Sequence, residues 1–373
     1  MRKRILFLLS DIGGGHRAAA EAIAEAIHYL YPEAYDLYLD DVWRDYTPWP
    51  INKLPAAYPW LAGPGTPFWK FLWLISQWAR FDRTIFPTIS LALKVKTIPY
   101  LRRVRPDVVV SVHPLMNELG LRLMRQTNPD IPFVTVVTDM VNIHPFWIHP
   151  GVTFCMLPTE PARAMALKYG LPEEKLMVTG QPVGLKFTKR IGDKKYLRQM
   201  LGLDLKRPTI LLVGGGEGHR RVFDIAQAVT RTVSEAQLLV IAGRNRLLKE
   251  KLDQVAWEIP TRVYGFVNNM PDLMGSADVL ITKAGPGTIS EAFVAGLPLI
   301  LFDYIPGQEE GNVAYVQAHQ AGVFAREAQQ VAKLVAEWLE PDNMTLAQMA
   351  QNAAALARPE AALTIAKKVC DLI

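Results

Sequence analysis

Short apolar runs bounded by turn residues recur along the chain, and segments with helical periodicity lie between them. The first run covers residues 5–9 and leads through a glycine-rich turn into residues 17–30. In that segment Ile23, Ile27 and Leu30 share one face of a predicted helix. Further predicted strands in this half cover residues 35–39, 108–112, 133–137 and 153–157. Strands that alternate with helices predict an α/β fold with parallel sheets.

The same order of elements begins again after a break at about residues 180–208. A strand at residues 209–213 is followed by the glycine-rich segment Gly214–Gly218 and then by a predicted helix. Later predicted strands cover residues 238–242, 262–264, 279–282 and 299–302. The pattern therefore predicts two similar α/β halves, each of which opens with a glycine-rich turn.

The composition narrows the class of protein. Of the 373 residues 50% are hydrophobic, which is enough for large cores and excludes an intrinsically disordered protein. Two cysteines, Cys155 and Cys370, make neither a disulfide framework nor a zinc cluster. The apolar run at residues 5–9 is too short for a signal peptide, and no stretch reaches the ~18 apolar residues of a transmembrane helix. We expect an intracellular protein that does not span a membrane.

Positive charge and tryptophan are concentrated in one segment. The net charge of the chain is +5, but residues 46–106 alone contain nine basic residues and one acidic residue. Six of the nine tryptophans lie between residues 43 and 78. Tryptophans flanked by cations are typical of segments at the level of lipid headgroups, so Trp60, Trp69 and Trp73 are candidates for membrane contact. The alternative is an ordinary aromatic core.

The first glycine-rich turn contains a histidine. Gly13, Gly15 and Ala18 match a dinucleotide-binding fingerprint, with Asp40 as the acid for a ribose. A dinucleotide loop needs no imidazole, whereas a reaction that deprotonates a hydroxyl does, so His16 is a candidate general base. The alternative is a histidine that caps its own helix.

A second turn, late in the chain, has the composition of a phosphate site. Lys283 ends a predicted strand, Gly285 and Gly287 flank a proline, and Thr288 begins a helix that contains Glu291. Backbone amides at a helix N-terminus bind phosphate, and Glu291 is placed to accept hydrogen bonds from a ribose. Residues 307–312 follow the next strand with amide and carboxylate groups suited to sugar hydroxyls. The alternative for the first of these segments is a plain strand–turn–helix connection, and for residues 307–312 it is a solvated turn.

Several collinear segments resemble GT-B glycosyltransferases, and more closely the monogalactosyldiacylglycerol synthase family. That family also contains the lipid II-forming N-acetylglucosaminyltransferase and processive diacylglycerol glucosyltransferases. The matching segments are Asp11–Ala18, Thr47–Pro50, Ser111–Met116, Thr138–Asp139, His144–Trp147, Gly214–Gly218, Ala242–Asn245, Gly265–Val267, Thr282–Ile289 and Gly307–Asn312.

The resemblance implies a GT-B fold of two Rossmann-like domains that face each other across a cleft. Residues 1–185 would form the acceptor- and membrane-binding domain, with a helix at about 355–373 packed back on it, and residues 186–354 would bind the UDP-sugar. His16 would be the base, with Asp139 as the next catalytic candidate. Pro50 and Trp147 match positions associated with activation by anionic lipids. The implied donor site comprises Gly15, Gly215, Gly216, Glu217, Arg244, Gly265, Phe266, Val267, Lys283, Ala284, Gly285, Gly287, Thr288, Glu291, Gln308, Glu309 and Asn312.

The function expected from the resemblance is transfer of a hexose, with galactose favoured, from a UDP-sugar to the sn-3 hydroxyl of 1,2-diacylglycerol with inversion. A UDP-glucose-dependent, processive diacylglycerol glucosyltransferase is the alternative; a dinucleotide-dependent oxidoreductase and a non-catalytic lipid-binding protein are weaker ones. No His/Asp/Glu pattern for a metal is present, so neither a metal nor another cofactor is expected.

The expected partners are UDP-galactose or UDP-glucose, diacylglycerol and anionic membrane lipids, without nucleic acid; a homodimer is left open. His219 stands where plant members of the family have an apolar residue. A chloroplast transit segment is also absent. These two departures together suggest a bacterial enzyme, which we expect at the cytoplasmic face of the cell membrane.

Overall fold

The computed structural model describes residues 2–10, 14–46, 49, 52–53, 65, 68, 71, 73–74, 81–190 and 192–373. The chain forms two compact units, each described by itself below. The N-terminal unit comprises Met1–Leu185, Ile305–Glu309 and Glu360–Ile373, and the C-terminal unit comprises Lys186–Tyr304 and Glu310–Pro359.

The N-terminal unit is built on a six-stranded parallel sheet. Its strands, in the spatial order β2-β1-β3-β4-β5-β6, are β1 (Lys3–Leu9), β2 (Tyr35–Asp41), β3 (Val108–Ser111), β4 (Phe133–Val136), β5 (Phe154–Leu157) and β6 (Leu176–Val178). The described helices are α1 (Gly15–Leu30), α2 (Val42–Tyr46), α3 (Phe81–Val104), α4 (Pro114–Met124) and α5 (Glu160–Lys168). Short 3-10 turns lie at Pro145–Trp147 and Glu173–Lys175.

Both faces of this sheet are covered, which is why its central strands are apolar throughout rather than alternating. Along β1, Ile5, Phe7 and Leu9 pack into one core, and Leu6 and Leu8 pack into the other. The period of two along a strand divides these residues between the two faces.

The last helix of the chain completes one of these cores. Helix α15 (Ala361–Cys370) packs against α1, and its Ile365 and Val369 are buried in the same core as Ile23 and Ile27. Residues 361–370 therefore belong structurally to the N-terminal unit.

The C-terminal unit contains the second six-stranded parallel sheet. Its strands, in the order β12-β11-β10-β7-β8-β9, are β7 (Thr209–Val213), β8 (Gln237–Ile241), β9 (Thr261–Tyr264), β10 (Val279–Lys283), β11 (Leu299–Asp303) and β12 (Gly322–Phe324). Its helices are α6 (Leu185–Arg190), α7 (Lys194–Met200), α8 (Val222–Thr232), α9 (Arg246–Asp253), α10 (Met270–Ser276), α11 (Pro286–Val294), α12 (Glu310–Ala318), α13 (Ala328–Trp338) and α14 (Thr345–Leu356).

Two strands and one long helix were not expected from the sequence. Strands β6 and β12 have three residues each and lie at sheet edges, where incomplete burial leaves little apolar pattern. Helix α3 has 24 residues but contains Pro87 and Pro99 and shows no clear apolar stripe. Among the described residues no helix is long and apolar enough to cross a bilayer.

Candidate active site

The carboxyl ends of β1, β3 and β4 bring the N-terminal candidates together. All strands of a parallel sheet end at the same edge, so the segments that follow neighbouring strands meet there. His16 lies at the start of α1 after β1, His113 follows β3, and Thr138 and Asp139 follow β4. This edge is the candidate active site of the N-terminal unit.

His16 is partly buried and is held by a polar contact. Its Nδ1 lies 2.9 Å from Oγ1 of Thr138, and its ring centroid lies 4.6 Å from that of His113. Burial lowers the pKa of His16 to about 4, against the opposite effect of a hydrogen bond to the backbone of Val112. The imidazole is therefore neutral near pH 7 and able to accept a proton. Gly15 precedes it in the helix, and residues 11–13 lie outside the described residues.

Asp139 is a buried carboxylate with two side-chain donors. Trp147 Nε1 donates to Oδ2 over 2.6 Å, and Gln308 Nε2 donates to Oδ1 over 2.9 Å. Burial raises the pKa of Asp139 to about 6, although both hydrogen bonds act to lower it; the charge of Glu309 adds to the rise. Near pH 7 both predicted catalytic groups are mostly in their unprotonated forms, so either can accept a proton there.

Trp147 is buried in the structure, and the association of its position with activation by anionic lipids stays a prediction. Its side chain is 0% exposed, and its indole nitrogen is used by Asp139. Its carbonyl accepts a hydrogen bond of 2.8 Å from Asn117 Nδ2, and Asn117 Oδ1 accepts one of 3.0 Å from Thr135 Oγ1. A buried polar chain thus fixes Trp147, and Trp147 fixes Asp139.

The segment Ile305–Glu309 supplies the second donor to Asp139. Gly307 has φ +85°, and its carbonyl accepts from Asn142 Nδ2 over 3.2 Å. Glu309 Oε2 accepts from the Ile305 amide over 2.8 Å, which closes the turn and occupies one oxygen of the predicted sugar-binding carboxylate. Gln308 Oε1 is buried without a hydrogen-bond partner among the described residues.

Trp73 lies against this turn, which limits the membrane contact predicted for it. A Cβ at Gly307 would come within 2.7 Å of Trp73 Cδ1, so only glycine permits this approach. The Trp73 ring also meets that of His144, with centroids 4.7 Å apart. Phe68, Phe71 and Leu74 are instead 50%, 57% and 54% exposed. Pro50, Trp60 and Trp69 lie outside the described residues.

In the C-terminal unit the glycine turn that follows β7 packs closely against the one that follows β8. Gly243 has φ +63°, and a Cβ there would lie 2.5 Å from the carbonyl oxygen of Gly216 and 2.7 Å from that of Gly215. The side chain of Lys283, at the end of the neighbouring strand β10, passes Gly215. Three predicted donor residues, Gly215, Gly216 and Lys283, are therefore brought together.

Helix α11 begins at the predicted phosphate turn. Gly285 is its N-cap and makes no side-chain cap, so the first amides of the helix, at Gly287 and Thr288, have no partner within the helix. Asn312 Nδ2 donates to the Ala284 carbonyl over 2.9 Å and holds the turn from α12. Glu291 lies one turn into α11, where burial raises its pKa to about 7, against the charge of Lys186.

The predicted uracil contact borders an open depression of about 630 Å³. The Arg244 guanidinium lies 4.5 Å from the centroid of the Phe266 ring, which is 55% exposed, and it pairs with Glu217 over 2.8 Å. Gly265 lines the depression beside Phe266, and Val267 is half-buried. The depression offers an aromatic face and cations, a combination suited to a base and its phosphates.

Several site residues were not singled out from the sequence. Thr138 and His113 were visible as parts of matching segments, but nothing in their spacing indicated contact with His16. Asp303, at the end of β11, binds His219 Nε2 over 3.3 Å and Arg221 over 3.5 Å. Burial acts to raise the pKa of Asp303, but these partners and the Tyr304 amide lower it overall. Among the described residues no group of three potential metal ligands occurs.

Solved structures of other proteins show the same fold. MurG from Acinetobacter baumannii aligns with a TM-score of 0.65 at 15% identity, covering 99% of each chain. HepE from Anabaena, in complex with UDP and glucose, aligns with a TM-score of 0.57 at 15% identity, also covering 99% of each chain. The fold is that of a GT-B glycosyltransferase, which confirms the predicted fold class.

Sequence comparison then identifies the family. The model described as monogalactosyldiacylglycerol (MGDG) synthase matches residues 16–183, and that described as glycosyltransferase family 28 C-terminal domain matches residues 209–368. A probable monogalactosyldiacylglycerol synthase of Glycine max is 41% identical over 100% of this chain and 72% of its own length. Monogalactosyldiacylglycerol synthase 1 of Arabidopsis thaliana is 40% identical over 100% of this chain and 71% of its own. The chain belongs to the monogalactosyldiacylglycerol synthase family, as its motifs predicted.

The same relatives correct one expectation. Their names describe them as chloroplastic. The prediction of a location at the cytoplasmic face of the cell membrane is therefore wrong.

The hydrogen bond from Trp147 to Asp139 should contribute to the stability of the protein in a way that depends on pH. The pKa of Asp139 in the folded protein lies above its unfolded value, so its ionisation opposes folding progressively as the pH rises from about 4 to about 6. Trp147→Phe removes the donor that favours the ionised form. We expect it to lower the free energy of unfolding by about 2 kcal/mol at pH 8 and about 1 kcal/mol at pH 5.

Denaturant titrations at both pH values measure this difference. Trp338→Phe is the matched control, because Trp338 is 4% exposed in the core of the C-terminal unit and should give the same loss at both pH values. Equal losses for Trp147→Phe at pH 5 and pH 8 would contradict the assigned hydrogen bond.

Proposed function

We propose that this protein transfers galactose from UDP-galactose to the sn-3 hydroxyl of 1,2-diacylglycerol, with inversion at the anomeric carbon. The observation that carries the proposal is the neutral His16 beside Thr138 at the carboxyl edge of the N-terminal sheet. Its support is membership of a family whose curated relatives are named monogalactosyldiacylglycerol synthases.

In the proposed reaction His16 takes the proton of the sn-3 hydroxyl while the oxygen attacks the anomeric carbon of the sugar. The bond from that carbon to UDP breaks, so UDP leaves with the electron pair and the configuration inverts. Thr138 keeps the imidazole oriented through Nδ1. Asp139 is the alternative base and would need to be ionised, which requires a pH above its pKa of about 6.

The C-terminal unit is the proposed donor site. The first amides of α11 and the Lys283 ammonium would stabilise the negative charge on the leaving diphosphate. Gly265–Val267 would contact uracil, Glu291 the ribose and the segment from Gln308 to Asn312 the sugar. We further propose that no divalent metal takes part, because a helix N-terminus and a lysine supply the positive charge that a metal would otherwise provide.

A direct assay tests the function. Purified protein is incubated in EDTA with diacylglycerol in mixed micelles and either UDP-galactose or UDP-glucose, and the lipid products are resolved by chromatography. We expect one monogalactosyl product from UDP-galactose. A glucosyl product, or a series of longer ones, favours the glucosyltransferase alternative. Activity that is lost in EDTA and restored by magnesium or manganese contradicts the metal-free proposal.

Substitution of His16 should lower the turnover measured in this assay. His16→Ala should lower kcat by about 10²–10⁴-fold, the usual contribution of a general base, while the variant still binds UDP. His28→Ala is the control, since His28 is an exposed histidine of the same helix, and it should keep wild-type activity. A folded His16→Ala protein with near-normal turnover would move the base elsewhere, with Asp139 next.

Glu291 should make donor binding depend on pH. A ribose diol donates hydrogen bonds to the ionised carboxylate, and the pKa of Glu291 in the free protein is about 7. The affinity for UDP-galactose should therefore fall as the pH is lowered from 8 to 6, by up to about tenfold, because protonation removes the acceptor. Calorimetric titration measures the change.

UDP-galactose suits this test because its diphosphate does not titrate between pH 6 and 8. In Glu291→Gln the dependence should disappear, whereas Glu337→Gln, which removes an exposed carboxylate of the same unit, should keep it. A pH dependence that survives in Glu291→Gln would separate this carboxylate from the ribose.

We also propose that the basic, aromatic segment at residues 46–106 binds the protein to the surface of the bilayer that contains the acceptor. Phe68, Phe71 and Leu74 are spaced as one face of a helix and are at least half exposed. Apolar side chains at this density on a surface are suited to the headgroup region, and the cations would favour anionic lipid.

Vesicle cosedimentation tests the surface contact. The Phe71→Ala/Leu74→Ala protein should bind anionic vesicles several-fold more weakly than the wild type, and high salt should weaken but not abolish wild-type binding. Met344→Ala is the control because Met344 is 74% exposed in the C-terminal unit. Equal wild-type binding to neutral and anionic vesicles would show that the positive charge serves another purpose.

A further inference from the structure

Two buried polar atoms without hydrogen-bond partners occur at the edge of the sheet that holds His16. They are Ser10 Oγ and His113 Nδ1, which have no partner among the described residues. Ser10 is 0% exposed and His113 is 4% exposed. Buried groups of this kind are normally satisfied, so each requires an explanation.

These two residues follow the ends of neighbouring strands of the sheet. Strands β1 and β3 are parallel neighbours, with Leu6 opposite Val109 and Leu8 opposite Ser111. Continued two residues beyond these pairs, the same register would place Ser10 opposite His113. Because side chains alternate along a strand, Ser10 shares a face with Leu6 and Leu8, and His113 shares the same face with Val109.

The start of α4 does not account for the His113 ring. His113 is the N-cap of that helix, but its side chain makes no capping hydrogen bond. Its carbonyl is satisfied by the Met116 amide over 3.0 Å and by Ser111 Oγ over 3.2 Å. The backbone of His113 therefore has a structural role, but these hydrogen bonds do not involve its ring. The ring lies edge-on to that of His16, with the two centroids 4.6 Å apart.

We propose that His113 and Ser10 bind the ester group of the acceptor that lies next to the reacting hydroxyl. The inference rests on the proposed function, in which His16 receives the proton of the sn-3 hydroxyl of diacylglycerol. The neighbouring carbon of that acceptor bears the sn-2 ester, so groups adjacent to His16 are at the correct position to meet it.

The chemistry of the two side chains matches an ester carbonyl. Burial, together with the charge that His16 would carry, holds the pKa of His113 well below its usual value, so the ring is neutral and has one N–H to donate. The Ser10 hydroxyl supplies a second donor. An ester carbonyl oxygen has two lone pairs and can accept both hydrogen bonds. The ether oxygen of a dialkyl analogue is a weaker acceptor, and it lies within the lipid chain rather than at the position of the carbonyl oxygen.

The arrangement should make the enzyme select diester over diether acceptors. A diether leaves both buried donors unsatisfied, and sites built around buried hydrogen-bonding groups reject analogues that lack the partner. We expect kcat/KM for 1,2-diacylglycerol to exceed that for the 1,2-dialkyl analogue of equal chain length about tenfold or more.

The experiment compares this diester-to-diether ratio among variants in mixed micelles with saturating UDP-galactose. His113→Phe keeps a ring of similar size without nitrogen, and it should reduce the ratio to about 1–3 by raising KM for the diester. His113→Asn returns a donor near the position of Nδ1 and should restore part of the ratio. Ser10→Ala, made in a protein that keeps His113, should also lower the diester-to-diether ratio.

Ser90→Ala is the matched control, since Ser90 is 1% exposed in the same unit and its hydroxyl also has no hydrogen-bond partner among the described residues. It should leave the ratio at the wild-type value. UDP-galactose binding verifies that each variant is folded. If His113→Phe does not fold, His113→Asn and Ser10→Ala carry the test.

The possible outcomes are distinct. A wild-type ratio near 1, or a wild-type ratio in folded variants at both positions, overturns the inference; a change at one position only assigns the ester to that residue alone. If the wild-type protein transfers no sugar to either acceptor, the proposed function itself is wrong. Transfer to both acceptors at equal rates contradicts only the ester site.

Discussion

The burial of the Asp139 carboxylate is the constraint around which the N-terminal unit is arranged at its functional edge. A carboxylate taken out of water must receive hydrogen bonds, and here they come from Trp147 and Gln308. To supply the second of them, the segment Ile305–Glu309 becomes part of this unit although it lies between β11 and α12 of the other. One buried acid thus connects the indole of Trp147 and the segment Ile305–Glu309 at the same edge of the sheet.

The same apolar surroundings act in opposite directions on the two catalytic candidates. Loss of water disfavours any charged form, so it lowers the pKa of His16 and raises that of Asp139. Loss of water alone therefore favours the neutral form of the His16 imidazole and makes Asp139 a weaker acid. Neither residue needs an oppositely charged side chain for this effect. In the C-terminal unit the electrostatics are different, since backbone amides, Lys283 and Arg244 provide a positive field suited to a diphosphate.

The sheets could be read from the sequence because their central strands are buried on both faces and are therefore apolar without interruption. Edge strands β6 and β12 lacked that signal, and the prolines and weak periodicity of α3 concealed a long helix. His16, Lys283 and Glu291 stood out because glycine turns surround them. The Asp139–Gln308 contact joins residues 169 positions apart, which no local pattern encodes. The burial of Trp147 could not be predicted either, because residue type alone does not distinguish a core indole from one at a surface.

The position of α15 has a consequence for how the chain acquires its structure. Helix α1 is synthesised long before α15, yet the apolar face formed by Ile23 and Ile27 shares its core with Ile365 and Val369. Domains of multidomain chains usually fold in order from the N-terminus during synthesis. Here the core between α1 and α15 is complete only when about residue 370 has left the ribosome. One face of the N-terminal sheet therefore stays partly uncovered while the C-terminal unit is synthesised. Of the two units, the one that begins earlier in the chain is thus completed later.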